Sequence, residues 1–314
     1  LGAGNRNRQR LATPNRGIEN FRSFRVEKVK AMQLWQKMRR TGRRWMYGVA
    51  ALVMAVSLVA ITPQKSEANI FNLIIYGAEY VRLSNLNDAG EVNLGRNTDQ
   101  ALKRQGVQIY NRDPDVVAYV NAIGQRLAAT SDRPPDDDFQ YTFQIVDDNA
   151  VNAFATAGGF VYINRGLMLE ADNEAELAGV MAHEIGHIVG RHAINRMREQ
   201  ILAGGIASAL GLDGDPLVGL GVQVALFLPN SRGGELEADQ LGFHNMGRAG
   251  YDQRGFISFM QKLESGGSPP EFLSTHPNPG NRVGNLQGLY NDSAVPTATA
   301  GTNASAYRSN ISGL

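Results

Sequence analysis

The apolar residues Val116, Val117, Val120, Ile123 and Leu127 recur at helical spacing behind Asp113 and Pro114. That pattern predicts a helix to about residue 129, with Asp as N-cap and Pro at the first helical position. "YTFQIVDD", 141–148, alternates apolar and polar positions as a half-buried strand does, and "GGFVYINRG", 158–166, reads as a second strand entered by two glycines. Asn173 with Glu176 three residues on forms a capping box for the next helix, which Val180, Met181, Ile185, Ile188 and Val189 mark as buried. Gly186 in that helix lets another backbone pack close. Ser231 starts a helix near 233–249, and a further one fits 253–264. Two apolar runs, 201–212 and 216–229, are split by Asp213, Asp215 and Pro216. Each is too short to span a membrane and reads as a buried or partly covered helix. Many helices with few strands predict an α+β domain, mostly helical, with a small β-sheet.

Residues 69–290 make one domain of ordinary size, and no internal repeat is present. The Ser, Ala, Thr, Asn and Gly of 291–314 read as a disordered tail. Upstream, four arginines between 39 and 44 precede the uncharged apolar stretch 45–62, and Ser66-Glu67-Ala68 supplies small residues at a cleavage site. Residues 38–68 are therefore expected to be a signal peptide or a retained N-terminal membrane anchor, with residues 45–62 as the membrane contact. Either one places the body outside the cytoplasm, in the periplasm or on the outer face of the membrane. Residues 1–37 are basic and read as disordered, or as lying before the true start at Met38.

The net charge of +1 hides a division. Residues 1–44 hold thirteen Lys/Arg and two Asp/Glu; the rest holds eighteen and twenty-eight. A basic leader on an acidic body is not the footprint of a nucleic-acid binder, which carries its positive charge on the folded domain. There is no cysteine, so disulfides and thiolate metal sites are excluded.

The chemistry gathers in "VMAHEIGHIVGRHA", 180–193. His183 and His187 are one helical turn apart and can offer two imidazoles to one ion. Glu184 can then take a proton from water beside that ion without being a ligand. An unpaired His and Glu on a buried helix would be costly, which favours a metal. A third ligand is needed. On an unbroken helix His192 points about 140° away from His187, as a solvated or supporting residue. The better candidate is Glu235, with Asp239 on the same face to hold a ligand histidine's other nitrogen. Glu237 lies about 200° from Glu235, and His244, about 180° round, reads as structural. His276 sits in a Pro-rich loop with Arg282 six residues on. The two can face the cleft and stabilise an oxyanion; alternatively, His276 occupies the open metal position and holds the enzyme latent.

His183-Glu184-x-x-His187, Ser231-Arg232-x-x-Glu235-x-x-Ala238-Asp239, His276-Pro277-x-x-x-x-Arg282 and "NAFATAGGFVYINRGLM", 152–168, together resemble the gluzincin peptidases typified by HtpX, mitochondrial Oma and the CAAX prenyl protease. The resemblance covers roughly residues 90–285. It implies a zincin-type fold with its sheet beside the His183–His187 helix. It also implies a zinc endopeptidase acting on polypeptides, with one zinc per chain, His183, His187 and Glu235 as ligands and Glu184 as base. By the same resemblance Asn152, Ala153, Phe154, Gly158 and Gly159 belong to a strand that binds the substrate backbone, and His276 and Arg282 act near the transition state or as a gate. The chain looks closer to exported bacterial members that act in envelope protein quality control. Two rivals stand beside this reading. One is a zinc-bound but catalytically silent, chaperone-like module. The other is an amide hydrolase of cell-wall fragments.

Overall fold

The computed structural model describes residues 70–203, 214–265, 271–277, 281–292 and 298–314. The expected leader, its apolar segment 45–62 and the apolar run from residue 204 to 212 lie outside the described residues. Among the described residues no helix is long and apolar enough to cross a membrane.

In chain order come helices α1 (Ile70–Ser84), α2 (Asp88–Arg104) and α3 (Pro114–Ala128), then strands β1 (Thr142–Val146), β2 (Ala153–Ala155) and β3 (Phe160–Asn164). Helices α4 (Arg165–Glu170), α5 (Glu174–Val189), α6 (His192–Leu202), α7 (Pro216–Phe227) and α8 (Arg232–Arg248) follow. The chain continues through α9 (Arg254–Ser265), α10 (Glu271–Thr275), α11 (Arg282–Asp292) and α12 (Ala304–Asn310). The expected α+β class is what the described residues adopt.

Local signals start several helices where they were read. Asp113 accepts from the N–H groups of Asp115 and Val116, with Pro114 behind it. Ser231 accepts from Gly234 N–H. Asn173 caps α5 by accepting from Glu176 N–H, but the expected reciprocal bond is displaced. Glu176 accepts instead from Asp172 N–H and from Ser258 and Lys262, so it ties α5 to α9.

The sheet runs β1-β3-β2, with β1 parallel and β2 antiparallel to the central β3. All five residues of β3 are buried. Val161 and Ile163 enter the main core around α5, while Phe160 and Tyr162 enter a second cluster with α2, α6 and α7. A strand covered on both faces reads as a continuous apolar run. The expected strand 158–166 is shortened at both ends. Gly158 and Gly159 form a turn at φ +76° and +89°, and Arg165 and Gly166 begin α4.

Helix α5 is the centre of the main core. Every residue from Ala175 to Ile188 is buried, and the helix packs most extensively on α8. The approach is close because both contact points are glycine. A Cβ on Gly186 would lie 2.6 Å from the Ala238 carbonyl oxygen, and one on Gly242 2.8 Å from Ala182 backbone.

In its described part, 298–314, the tail is tied to the domain, which corrects the expectation of disorder there. Tyr251 and Ala300 form a parallel bridge, Gly301 O accepts from Ala175 N–H, and Tyr307 is 1% exposed with its hydroxyl donating to Met168 O at 2.6 Å. Composition missed this because one buried tyrosine and two backbone ties suffice to anchor a short polar segment.

Candidate metal centre

Helix α5 brings His183 and His187 to one side, and α8 brings Glu235 to meet them. His183 Nε2 and His187 Nε2 are 3.0 Å apart. Glu235 Oε1 lies 3.2 Å from His187 Nε2, and Glu235 Oε2 lies 3.5 Å from His183 Nε2. Neither oxygen of Glu235 meets hydrogen-bond geometry with any partner, although the residue is fully buried. Three groups that can offer lone pairs to one ion thus converge, and no donor is aligned on the carboxylate among them. A tetrahedral zinc with bonds of about 2.0–2.1 Å spaces its ligand atoms about 3.3–3.4 Å apart, close to these separations. The donor set and its orphaned buried carboxylate fit that ion.

The charges agree. Glu184, Glu235 and Asp239 are all buried beside the Arg282 guanidinium. Burial raises all three carboxyls, but nearby positive groups outweigh it and hold them below their ordinary range. Those groups are chiefly His276 for Glu184 and Glu235, and Arg282 for Asp239. Burial and Arg282 pull His183 down, yet its bonds to Asp239 and Glu235 prevail and push it up to about 9. Burial lowers His187 to about 4, assisted by His183 and opposed by Glu235. A cation bound here would add to the positive charge that holds these carboxylates ionised.

Asp239 Oδ1 is 2.9 Å from His183 Nδ1, on the ring's far side from the cluster. Arg282 departs from the expectation that it faces the cleft. It is 0% exposed; its Nε and NH2 groups donate to both oxygens of Asp239 at 2.7 and 2.6 Å, and NH1 lies 3.2 Å from Glu235 Oε2. This bidentate pair ties Arg282 to Asp239, away from the residues that line the cleft.

His276 also differs from the loop residue expected. It directly follows the last residue of α10, its N–H donating to Phe272 O at 2.8 Å. The ring stacks on Phe272 at 4.3 Å, its Nδ1 lies 3.2 Å from Phe272 O, and its Nε2 lies 3.2 Å from Glu184 Oε1. Ligand atoms of His183, His187, Glu235 and His276 all lie within 4.8 Å of one another. Both roles expected for His276 are therefore within its reach.

The cleft over Glu184, His187 and His276 is walled by Phe154, Ala155, Thr156 and Ala157 on one side and by Ile188, Ile194, Val224 and Leu228 on another. Gly158 and Gly159 do not line it. They face inward, where a Cβ would strike Glu91 O or Gln140 O at 2.6 and 2.4 Å. They turn the chain from β2 into β3. Nor is Asn152 a lining residue here: its amide donates to Glu271 and accepts from Thr275 and Ala153 N–H, tying β2 to α10.

His192 is a supporting neighbour of His187, but it points toward that ring and not away from it. The helix breaks before it, and its Nδ1 comes to 2.8 Å from His187 Nδ1. The signal was Gly190, but the turn needs Arg191 at φ 50°, which residue type does not announce.

Comparison with known proteins adds an independent line. Residues 114–290 match peptidase family M48. A β-barrel assembly-enhancing protease of Yersinia pestis is 34% identical over 209 residues, 60% of this chain and 42% of that protein. One from Escherichia coli K12 is 31% identical over 198 residues, 57% of this chain and 40% of that protein. The chain thus spans about two fifths of the length of these relatives. The mitochondrial metalloendopeptidase OMA1 of Schizosaccharomyces pombe is 27% identical over 237 residues, 71% of this chain and 69% of that protein. The family match takes in more than half of the chain and every residue of the cluster, so the chain belongs to peptidase family M48.

Proposed function

We propose that this protein is a zinc-dependent metalloendopeptidase that hydrolyses peptide bonds in polypeptides. The observation that carries the reading is the convergence of His183, His187 and the orphaned Glu235 carboxylate beside Glu184, beneath an open strand edge. His183, His187 and Glu235 would hold the ion. Bound zinc supplies Lewis acidity, polarising a carbonyl and bringing the pKa of water near neutrality.

The chain's own groups do the rest. Glu184, held ionised and pointing into the cleft, accepts a proton from the attacking water and returns it to the leaving amine. Asp239 fixes the His183 ring, and Arg282 fixes Asp239. In the β2–β3 ladder, Asn152 and Thr156 bond to Asn164 and Phe160, so Ala155 turns its backbone groups to the outer edge, while Ala153 N–H is taken by Asn152 Oδ1. An extended peptide can add there as a fourth strand. An open edge supports polypeptides over small cell-wall amides. A full set of ligands and a base supports an enzyme over a silent chaperone-like module. His276 either stabilises the transition state or keeps the centre latent.

Envelope proteins, misfolded ones among them, are the substrate class this reading favours. The names of the bacterial relatives and the basic-then-apolar leader support an exported protein in the periplasm or on the outer face of the membrane, with residues 45–62 as signal or anchor.

The test is zinc content and casein turnover of the purified chain, with and without a chelator, beside Glu184→Gln. The variant is expected to keep one zinc per chain and lose about 10²–10⁴ of turnover. Proteolysis that survives the substitution, or the chelator, overturns the reading.

A further inference from the structure

A ligand histidine presents its metal-facing lone pair only while its other ring nitrogen carries the proton, and a neighbouring acceptor holds it in that tautomer. For His183 that acceptor is Asp239. For His187 no carboxylate or carbonyl is in that place. The neighbour of its Nδ1 is His192 Nδ1, at 2.8 Å, in a ring that is itself buried. His192 Nε2 in turn lies 3.3 Å from Glu237 Oε2. The proton count along this line is consistent. His187 Nδ1–H donates to His192 Nδ1, His192 Nε2–H donates to Glu237, and His187 Nε2 is left bare toward Glu235.

The backbone is built to make this contact. Helix α5 ends at Val189, Arg191 takes the left-handed conformation at φ 50°, and α6 restarts at His192. The break swings His192 back over the turn it has just left. Arg191 is held in place by Glu91 Oε2 at 3.0 Å and Leu86 O at 3.1 Å. Gly190 makes the room, since a Cβ there would lie 2.5 Å from His192 Nε2.

We propose that His192 is a positioning residue of the metal centre, accepting the Nδ1 proton of His187 and oriented by Glu237. The inference rests on the zinc reading above and adds a second, all-imidazole support to the carboxylate support of His183.

The experiment measures zinc affinity by chelator competition, and the visible spectrum of the cobalt-loaded protein, neither of which needs turnover. His192→Ala is expected to weaken zinc about 10–100-fold and to change the cobalt bands. His192→Asn places an amide oxygen near the old Nδ1 and should restore affinity to within about threefold. His192→Gln reaches past that point and should not. Glu237→Gln, at a side chain 60% exposed, should cost less than His192→Ala. If His192→Ala does not fold, as judged by metal-free thermal unfolding, the Asn and Gln variants decide. Equal zinc affinity for those two, or wild-type affinity for His192→Ala, overturns the proposal. A wild-type protein that takes up no zinc overturns the metallopeptidase reading itself.

Discussion

Gly186→Ala tests whether the spacing of α5 and α8 sets the metal centre. A Cβ at Gly186 would sit 2.6 Å from Ala238 O and 2.9 Å from Ala238 Cα, about 0.8 Å inside ordinary contact at 3.4 Å. The obstacle is backbone in a helix, so the helices must part rather than a side chain turn. Overpacking of this kind costs about 1–3 kcal/mol. Alanine returns about 1 kcal/mol as the better helix former. The metal-free protein should therefore lose only about 1 kcal/mol, a fall of about 2–4 °C in Tm for a domain of this size. Zinc binding should suffer more. His183 and His187 ride on α5 and Glu235 on α8, and ligand distances tolerate only about 0.2 Å. A separation several times that value should weaken zinc at least about tenfold, which removes about 1.4 kcal/mol of zinc-linked stability. Thermal unfolding with and without zinc, beside chelator competition, reads both effects. The control is Gly77→Ala, exposed on α1 with nothing within 4 Å of the added methyl, which should hold or raise Tm. Wild-type zinc affinity in Gly186→Ala would refute the argument that this contact sets the ligand spacing.

Glu235→Ala should lower zinc content more than Glu237→Ala does, because Glu235 is buried against both imidazoles while Glu237 is largely exposed; metal analysis in the opposite order would remove Glu235 from the ligand set. His276→Ala separates its two roles by sign: higher basal casein turnover marks a latch, lower turnover marks help to the transition state. Tyr307→Ala should cost about 3–5 kcal/mol in denaturant unfolding, as loss of a buried aromatic does, whereas a disordered tail would show no change.

Much of the centre was legible because its grammar is local. His183 and His187 share a face by backbone geometry alone, and so do Glu235 and Asp239. The same holds for the caps at Asp113, Asn173 and Ser231, which act within three residues of themselves. What failed did so at points of long range. Helices α1 and α2 passed unread, and α2 supplies Glu91, which steadies Arg191 across a hundred residues of sequence. On an unbroken helix His192 points away from His187, but one left-handed residue reverses its direction. Nearness in sequence pairs Arg282 with His276 in the cleft, yet its partner is Asp239, 43 residues upstream.

By itself, then, the amino-acid order determined which side chains one helical turn presents together, since that depends only on the 3.6-residue period. It also determined that a neutral imidazole pair and its adjacent carboxylate belong to metal chemistry. Tertiary structure alone decided that Glu235 meets those imidazoles, that Arg282 pairs with Asp239 beside His183, and that Phe154–Ala157 rather than the glycines walls the cleft. Each of these turns on how closely two backbones approach, and that distance is a sum over contacts between segments far apart in the chain.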